Sequence, residues 1–258
     1  MIIKNKEQRR KYQQASQIST EILRQLYETV AIGVTGLEID KLAADLCQKY
    51  GVEAAFFDVP GKKGVYGHST CVQINDAAVH GLPDSQAFRP GDLITVDFGI
   101  KYAGFYTDHC FSVGLQPVKD SDLKLLKTGK DSVQKAIKEA VTGKTTGDIG
   151  YVLHHEVKKE GFDTLKQYIG HGIGQTLHED PEVAAWGERG EGEVLQKGQV
   201  ICVESQVVAG SDQIKIDADG WTARTRDGQN SVMFEYMVVV DNAKPKVLTN
   251  TLDWKLTK

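Results

Sequence analysis

Four apolar, strand-like runs in this chain are each interrupted by a single carboxylate. A charged group inside an apolar strand is costly unless something offsets its charge. Asp97 lies in Leu93-Ile-Thr-Val-Asp-Phe-Gly-Ile100, and Asp108 in Phe105-Tyr-Thr-Asp-His-Cys-Phe111. Glu204 lies in Val200-Ile-Cys-Val-Glu-Ser205, and Glu235 in Val232-Met-Phe-Glu-Tyr-Met-Val-Val-Val240. A hairpin turning within Lys101–Gly104 would pair Asp97 directly with Asp108, their Cβ atoms roughly 4.5–5.5 Å apart. Two anions at that separation repel, and divalent cations between them turn the repulsion into attraction. Singly, each acid also reads as a hydrogen-bonded structural group, an edge-strand charge or a turn cap. Tyr102-Ala103 is not a favoured turn pair, and Gly104 fits a bulge that would change the register.

A histidine joins the set. His171 sits between two glycines, which lets the backbone bend and approach a neighbour closely. His178 follows seven residues on, with the acidic pair Glu179-Asp180 after it. His80 precedes a glycine and a nearby proline, where a strand should end. Four carboxylates and a neutral imidazole call for two divalent cations. Such a hard, oxygen-rich donor set suits Mn2+, Fe2+, Co2+ or Zn2+ and does not need the cysteines as ligands.

Residues 5–31 carry Ile18, Ile22, Leu23, Leu26 and Val30 at helical spacing. Thr35-Gly-Leu-Glu38 is a capping box for a second helix, stopped at Gly51. Residues 120–142 repeat the first helix pattern, with Gly129 weakening its middle. Thr146-Gly147 then precedes a helix that ends before Gly161. The offset of about 110 residues between these blocks suggests an internal duplication, each half adding helices to one side of a shared sheet. The 258 residues suffice for one large domain or two intimate halves. A net charge of −4 disfavours a nucleic-acid-binding surface. No run approaches a membrane span, and Met1–Arg10 lacks the apolar core of a secretory signal. Cys47, Cys71, Cys110 and Cys202 are widely spaced without a Cys-x-x-Cys, which fits reduced thiols in a cytoplasmic protein.

The ordered set Asp97, Asp108, His171, Glu204, Glu235 resembles the ligand pattern of the pita-bread metallopeptidases, and within them the type I methionine aminopeptidases. The supporting motifs are Asn75…Val-His80-Gly-Leu-Pro83, Gly170-His-Gly-Ile-Gly…His178-Glu-Asp-Pro181, Gly220-Trp221…Thr225-Arg-Asp227 and the Thr-Gly-x-x-Ile-Asp turn at 35–40. The resemblance covers nearly the whole chain, and no extra N-terminal domain of the kind the proline-specific relatives carry is expected. It implies an α+β, internally duplicated pita-bread (creatinase/aminopeptidase) fold. A curved, largely antiparallel sheet would be covered by helices on one side. The expectation is one domain, 1–258, with pseudo-symmetric halves of about 1–115 and 116–258.

Carried over by position, the resemblance implies that Asp97 chelates one metal ion and His171 binds the other. Asp108 and Glu235 would bridge them, and Glu204 would complete the second site. Two cations lower the proton affinity of a water held between them, and Glu204 would relay its proton. His178 would stabilise the carbonyl oxygen as it becomes anionic, and His80 would face the scissile nitrogen. Cys71, Leu177 and Trp221, with Tyr66 nearby, would wall an apolar methionine pocket.

The sequence departs from the family pattern at Leu177, where an aromatic is usual, and at Val65–Thr70. It departs also at Ser205 for a proline, Tyr236 for a histidine and Met233 for a glutamine. The implied activity is metal-dependent removal of initiator methionine from nascent polypeptides by a cytoplasmic monomer, working near the ribosome, with neither nucleic acid nor membrane as partner. An X-Pro aminopeptidase or dipeptidase on the same fold is the alternative enzyme. A catalytically silent binding paralogue would be expected to lose ligands, and all five are present.

Overall fold

The computed structural model describes residues 1–251 and 253–258. Four helices start where the local signals place them. Helix α1 spans Lys6–Thr29 behind Asn5, whose side chain accepts from the Gln8 amide. Helix α2 spans Gly36–Tyr50 behind the Thr35–Glu38 capping box and ends at left-handed Gly51. Helix α3 spans Asp120–Ala136 and tightens into a 3-10 turn at Ile137–Glu139, so it is shorter than the 120–142 pattern. Helix α4 spans Thr146–Lys159, and its cap is Thr145, whose capping box with Asp148 repeats that of Thr35.

The strands that matter for the site are β1 Thr70–Ile74, β2 Leu93–Phe98, β3 His109–Gly114, β4 Gly170–Gly172, β5 Glu179–Val183, β6 Val200–Val208 and β7 Ser231–Val239. They form an antiparallel sheet in the order β5-β4-β6-β7-β3-β2-β1. Apart from β5 the order is palindromic: β1, β2, β3 of the first half mirror β4, β6, β7 of the second about the β7–β3 junction. No described helix is long and apolar enough to cross a membrane.

Alternation along each strand separates two faces. Ile94, Val96 and Phe98 pack with Phe111 and Val113 against Ile22, Leu26, Ile39 and Leu46 of α1 and α2. Ile201, Val203 and Val207 pack with Val232, Phe234, Tyr236 and Val238 against Leu125, Val133, Ile149 and Leu153 of α3 and α4. The intervening residues therefore face away from the helices. They are Asp97 on β2, Cys110 and Ser112 on β3, Met233, Glu235 and Met237 on β7, and Cys202, Glu204 and Gln206 on β6. One face supplies the apolar burial that holds the sheet, and the other carries the polar chemistry. Ser205 and Tyr236, both departures from the family pattern, belong to the helix face.

The hairpin register differs from the direct Asp97–Asp108 pairing. Tyr102 pairs with Phe105, and the turn residues are Ala103 and Gly104, at φ 50° and 83°. Two successive positive φ values match the right-handed twist of the flanking strands. Asp97 is consequently opposite Cys110, not Asp108. The slip equals one full side-chain period, so Asp108 remains on the Asp97 face as its diagonal neighbour.

Candidate metal centre and its pocket

Glu204 and Glu235 are direct cross-strand partners on β6 and β7. Glu235 is also opposite Cys110, which in turn pairs with Asp97. One row across four strands thus collects three of the acids, and Asp108 enters just before β3. His171 arrives from β4. A Cβ at Gly170 would fall 2.4 Å from the Cys202 carbonyl oxygen, and one at Gly172 2.1 Å from that of Asp180. The flanking glycines are therefore what lets β4 wedge between β5 and β6.

Asp97, Asp108, His171, Glu204 and Glu235 are all buried, none more than 9% exposed. Asp97, Asp108 and Glu235 each bring a carboxylate oxygen within 4.8 Å of the others. Asp97 Oδ1, Asp108 Oδ1 and Glu235 Oε1 have no hydrogen-bond partner. Asp108 lies 3.8 Å from His171 Nε2. Among the described residues no lysine or arginine pairs with any of the four acids; cations such as Arg24, Lys135, Lys158 and Arg224 pair with other carboxylates. Burial is the main cause that pushes all four carboxyls far above their usual range, and for Asp108, Glu204 and Glu235 the neighbouring acids push further. Buried acids without a cationic partner, three of them with an oxygen that nothing hydrogen-bonds, are the donor set that a pair of divalent cations fits.

His171 is prepared for such a role. Its Nδ1–H donates to the Gly172 carbonyl at 2.9 Å, which leaves the Nε2 lone pair facing the acids. Burial lowers its pKa to about 4, so the ring is neutral at physiological pH. The His178 ring stands 4.4 Å from it, edge to face, at the mouth of the site. Glu179 shapes the loop that presents His178, accepting from the amides of Gln175 and Thr176 at 2.8 and 3.0 Å. His80 follows a short strand, Ala77–Val79, at φ 53°. It shares a cavity of about 240 Å³ with Asp97, Asp108, His171, His178, Glu204 and Glu235.

A second cavity of about 100 Å³ shares Asp97, Asp108, His80 and His178 with the first. Its apolar wall is Phe56, Val59, Tyr66, Cys71, Leu177 and Trp221. Tyr66 Oη donates to the Gly81 carbonyl at 2.9 Å, tying this wall to the residue after His80. The Trp221 amide is held by Asp219 at 2.7 Å. The residues singled out for the pocket from sequence therefore converge, with Phe56 and Val59 added.

The same face holds two residues that the sequence reading passed over. Gln206 donates its side-chain amide to Glu204 Oε2. Cys202 places its sulfur in a group with His171 and Glu235, although the sequence required no thiol. Both lie two residues from Glu204, and strand alternation from that acid would have found them.

The model of metallopeptidase family M24 matches residues 10–242. This chain belongs to that family. Among similar proteins, the methionine aminopeptidase of Clostridium perfringens is 33% identical over 251 residues, covering 96% of this chain and 98% of its own. Methionine aminopeptidase 1 of Bacillus subtilis is 33% identical over 225 residues, covering 87% and 89%. The crystal structure of methionine aminopeptidase from Thermotoga maritima superposes with a TM-score of 0.91 at 31% identity, over 97% of this chain and all of that one. An X-Pro aminopeptidase from the same organism shares the fold, with a TM-score of 0.77 at 22% identity over 64% of its length. The M24 chain thus has the internally duplicated pita-bread fold that the sequence implied.

Proposed function

We propose that this M24 chain is a metal-dependent aminopeptidase that removes N-terminal methionine from polypeptides. One observation carries the reading: four buried carboxylates without a cationic partner and a neutral histidine share one cavity, and two of those acids, Asp97 and Asp108, also line the adjoining apolar pocket. Asp97, Asp108, His171, Glu204 and Glu235 would hold two divalent ions. When bound, the ions would neutralise the acids, hold the substrate amine and activate a water.

The chain's own groups do the rest. The wall of Tyr66, Cys71, Leu177 and Trp221 takes the methionine side chain, a thiol and a broad indole suiting a flexible thioether. Gln206 fixes one oxygen of Glu204 and so orients the other to accept a proton. His178 donates to the carbonyl oxygen as negative charge grows there. His80, kept neutral by burial with a pKa near 4, faces the leaving nitrogen. The oxygen-rich donors suit Co2+, Mn2+, Fe2+ or Zn2+. We place the activity in the cytoplasm, in a monomer acting on chains near the ribosome; four free, buried cysteines agree with a reducing compartment.

Cleavage of Met-Ala-Ser against Ala-Pro-Ala by metal-loaded protein tests the proposal. Release of methionine should dominate, and preference for the proline peptide would overturn the assignment. His178→Ala should lower kcat by about 10²–10³-fold with little change in KM, because the charge it meets develops in the transition state. A raised KM at unchanged kcat would remove His178 from that role.

A further inference from the structure

We infer that the Cys202 thiolate is an additional ligand to the metal ion on the His171 side whenever that ion is thiophilic. This rests on reading the acid cluster as a metal centre. Cys202 lies on the Glu204 face of β6, paired across the sheet with Met237 rather than with an acid. Its Sγ, an imidazole nitrogen of His171 and a carboxylate oxygen of Glu235 all lie within 4.8 Å of one another. The sulfur is fully buried, and Glu235, 1% exposed, keeps Oε1 without a hydrogen-bond partner in the same group. The His171 Nδ1–H is engaged by Gly172, so Nε2 is the nitrogen left for a metal.

Around one zinc-sized ion, a sulfur at about 2.3 Å and a nitrogen at about 2.0 Å stand roughly 3.5 Å apart in a tetrahedron. The three donor atoms lie within 4.8 Å of one another, so binding draws them together and takes the thiol from the Asp108 carbonyl, 3.9 Å away. Coordination forms a metal–sulfur bond and breaks the S–H bond, and the proton leaves to solvent water. Thiolate favours Zn2+, Co2+ or Cd2+ over Mn2+. The centre would then take oxygen-loving ions through its acids alone and soft ions with sulfur added. Residue 202 would thereby decide metal preference in this chain.

The test titrates full-length, metal-free protein with Co2+ and with Mn2+. Calorimetry follows binding, and absorbance follows the sulfur-to-cobalt charge-transfer band. The band should rise to saturation in the wild type, persist in Cys71→Ser and vanish in Cys202→Ser. Cys202→Ser should weaken Co2+ by on the order of 10–100-fold and leave Mn2+ nearly unchanged. X-ray absorption of the zinc-loaded wild type needs no variant and should show a sulfur neighbour at about 2.3 Å. Co2+ binding without the band, a band surviving in Cys202→Ser, or a zinc shell of nitrogen and oxygen alone would each overturn the inference. Met-Ala-Ser cleavage with Mn2+ is scored in parallel. Activity without the sulfur signature removes only Cys202, whereas the signature without activity removes only the aminopeptidase reading.

Discussion

Asp97→Asn and His171→Ala are each expected to abolish methionine release, lowering kcat/KM by more than the roughly 10²–10³-fold lost with a single transition-state donor. Each removes a donor from a cluster whose charge and geometry depend on all its members. Asp97 brings an oxygen that nothing else in the protein satisfies. His171 brings the one neutral nitrogen whose tautomer is already set by Gly172. Neither change should unfold the chain. Asn is nearly isosteric with Asp and takes one buried negative charge out of a repelling group. Metal-free Asp97→Asn should therefore melt at or above the temperature of the metal-free wild type. Calorimetry together with steady-state kinetics separates this outcome from misfolding. Full turnover in either variant would mean that the cluster is not the reacting centre.

Stripping divalent ions is expected to make stability fall steeply as pH rises from about 6 to 8. Burial, then in three of the four the neighbouring acids, raises the folded-state pKa of Asp97 to about 7, that of Glu204 to about 8, and those of Asp108 and Glu235 well above the ordinary range. The folded chain thus holds protons that the unfolded chain has already released. The contribution of these acids is fully present below their unfolded pKa of about 4 and is lost as pH climbs through the folded values. His80 and His171 work in the opposite sense. Burial holds both near pH 4, so their contribution is present above the unfolded value of about 6.5 and is lost as pH falls toward 4. The four acids outnumber the two histidines, so from about pH 4 to 6.5 these groups together already lose stability as pH rises, and above 6.5 the acids act without that opposition. One pKa unit is about 1.4 kcal/mol, and about 1 kcal/mol shifts Tm by roughly 2–4 °C in a domain of this size. A drop in Tm of about 10 °C between pH 6 and pH 8 is therefore expected. Saturating Mn2+ should erase it, because the bound charge replaces the missing protons. Equal Tm at the two pH values without metal would show that these acids are not buried together.

Residue-level pattern was enough to mark helix starts at Thr35 and near Thr145, the apolar strands, and the acids that interrupt them. These signals are local: a cap acts over three residues, and a buried charge is anomalous wherever its strand packs. The family motifs around His171 and His178 added the order of the ligands. Direct opposition of Asp97 and Asp108 failed because the turn chose Ala103-Gly104 for its backbone twist, a preference that side-chain alternation does not encode. The two acids kept a common face only because the slip was a full period of two. Leu177 and Trp221 could be matched to a pocket, yet Phe56, Val59 and the bond from Tyr66 to Gly81 emerged only when distant loops met.

Periodicity and charge along the chain told which residues must be buried and that four of them needed countercharge. Folding alone determined which of those meet, because strand pairing joins positions more than a hundred residues apart, as it does Glu235 and Cys110. That pairing brought Cys202 beside His171 and Glu235 and kept lysine and arginine away from the acids. Distance and dielectric, which govern the chemistry of buried charge, exist only once the sheet has closed over the site.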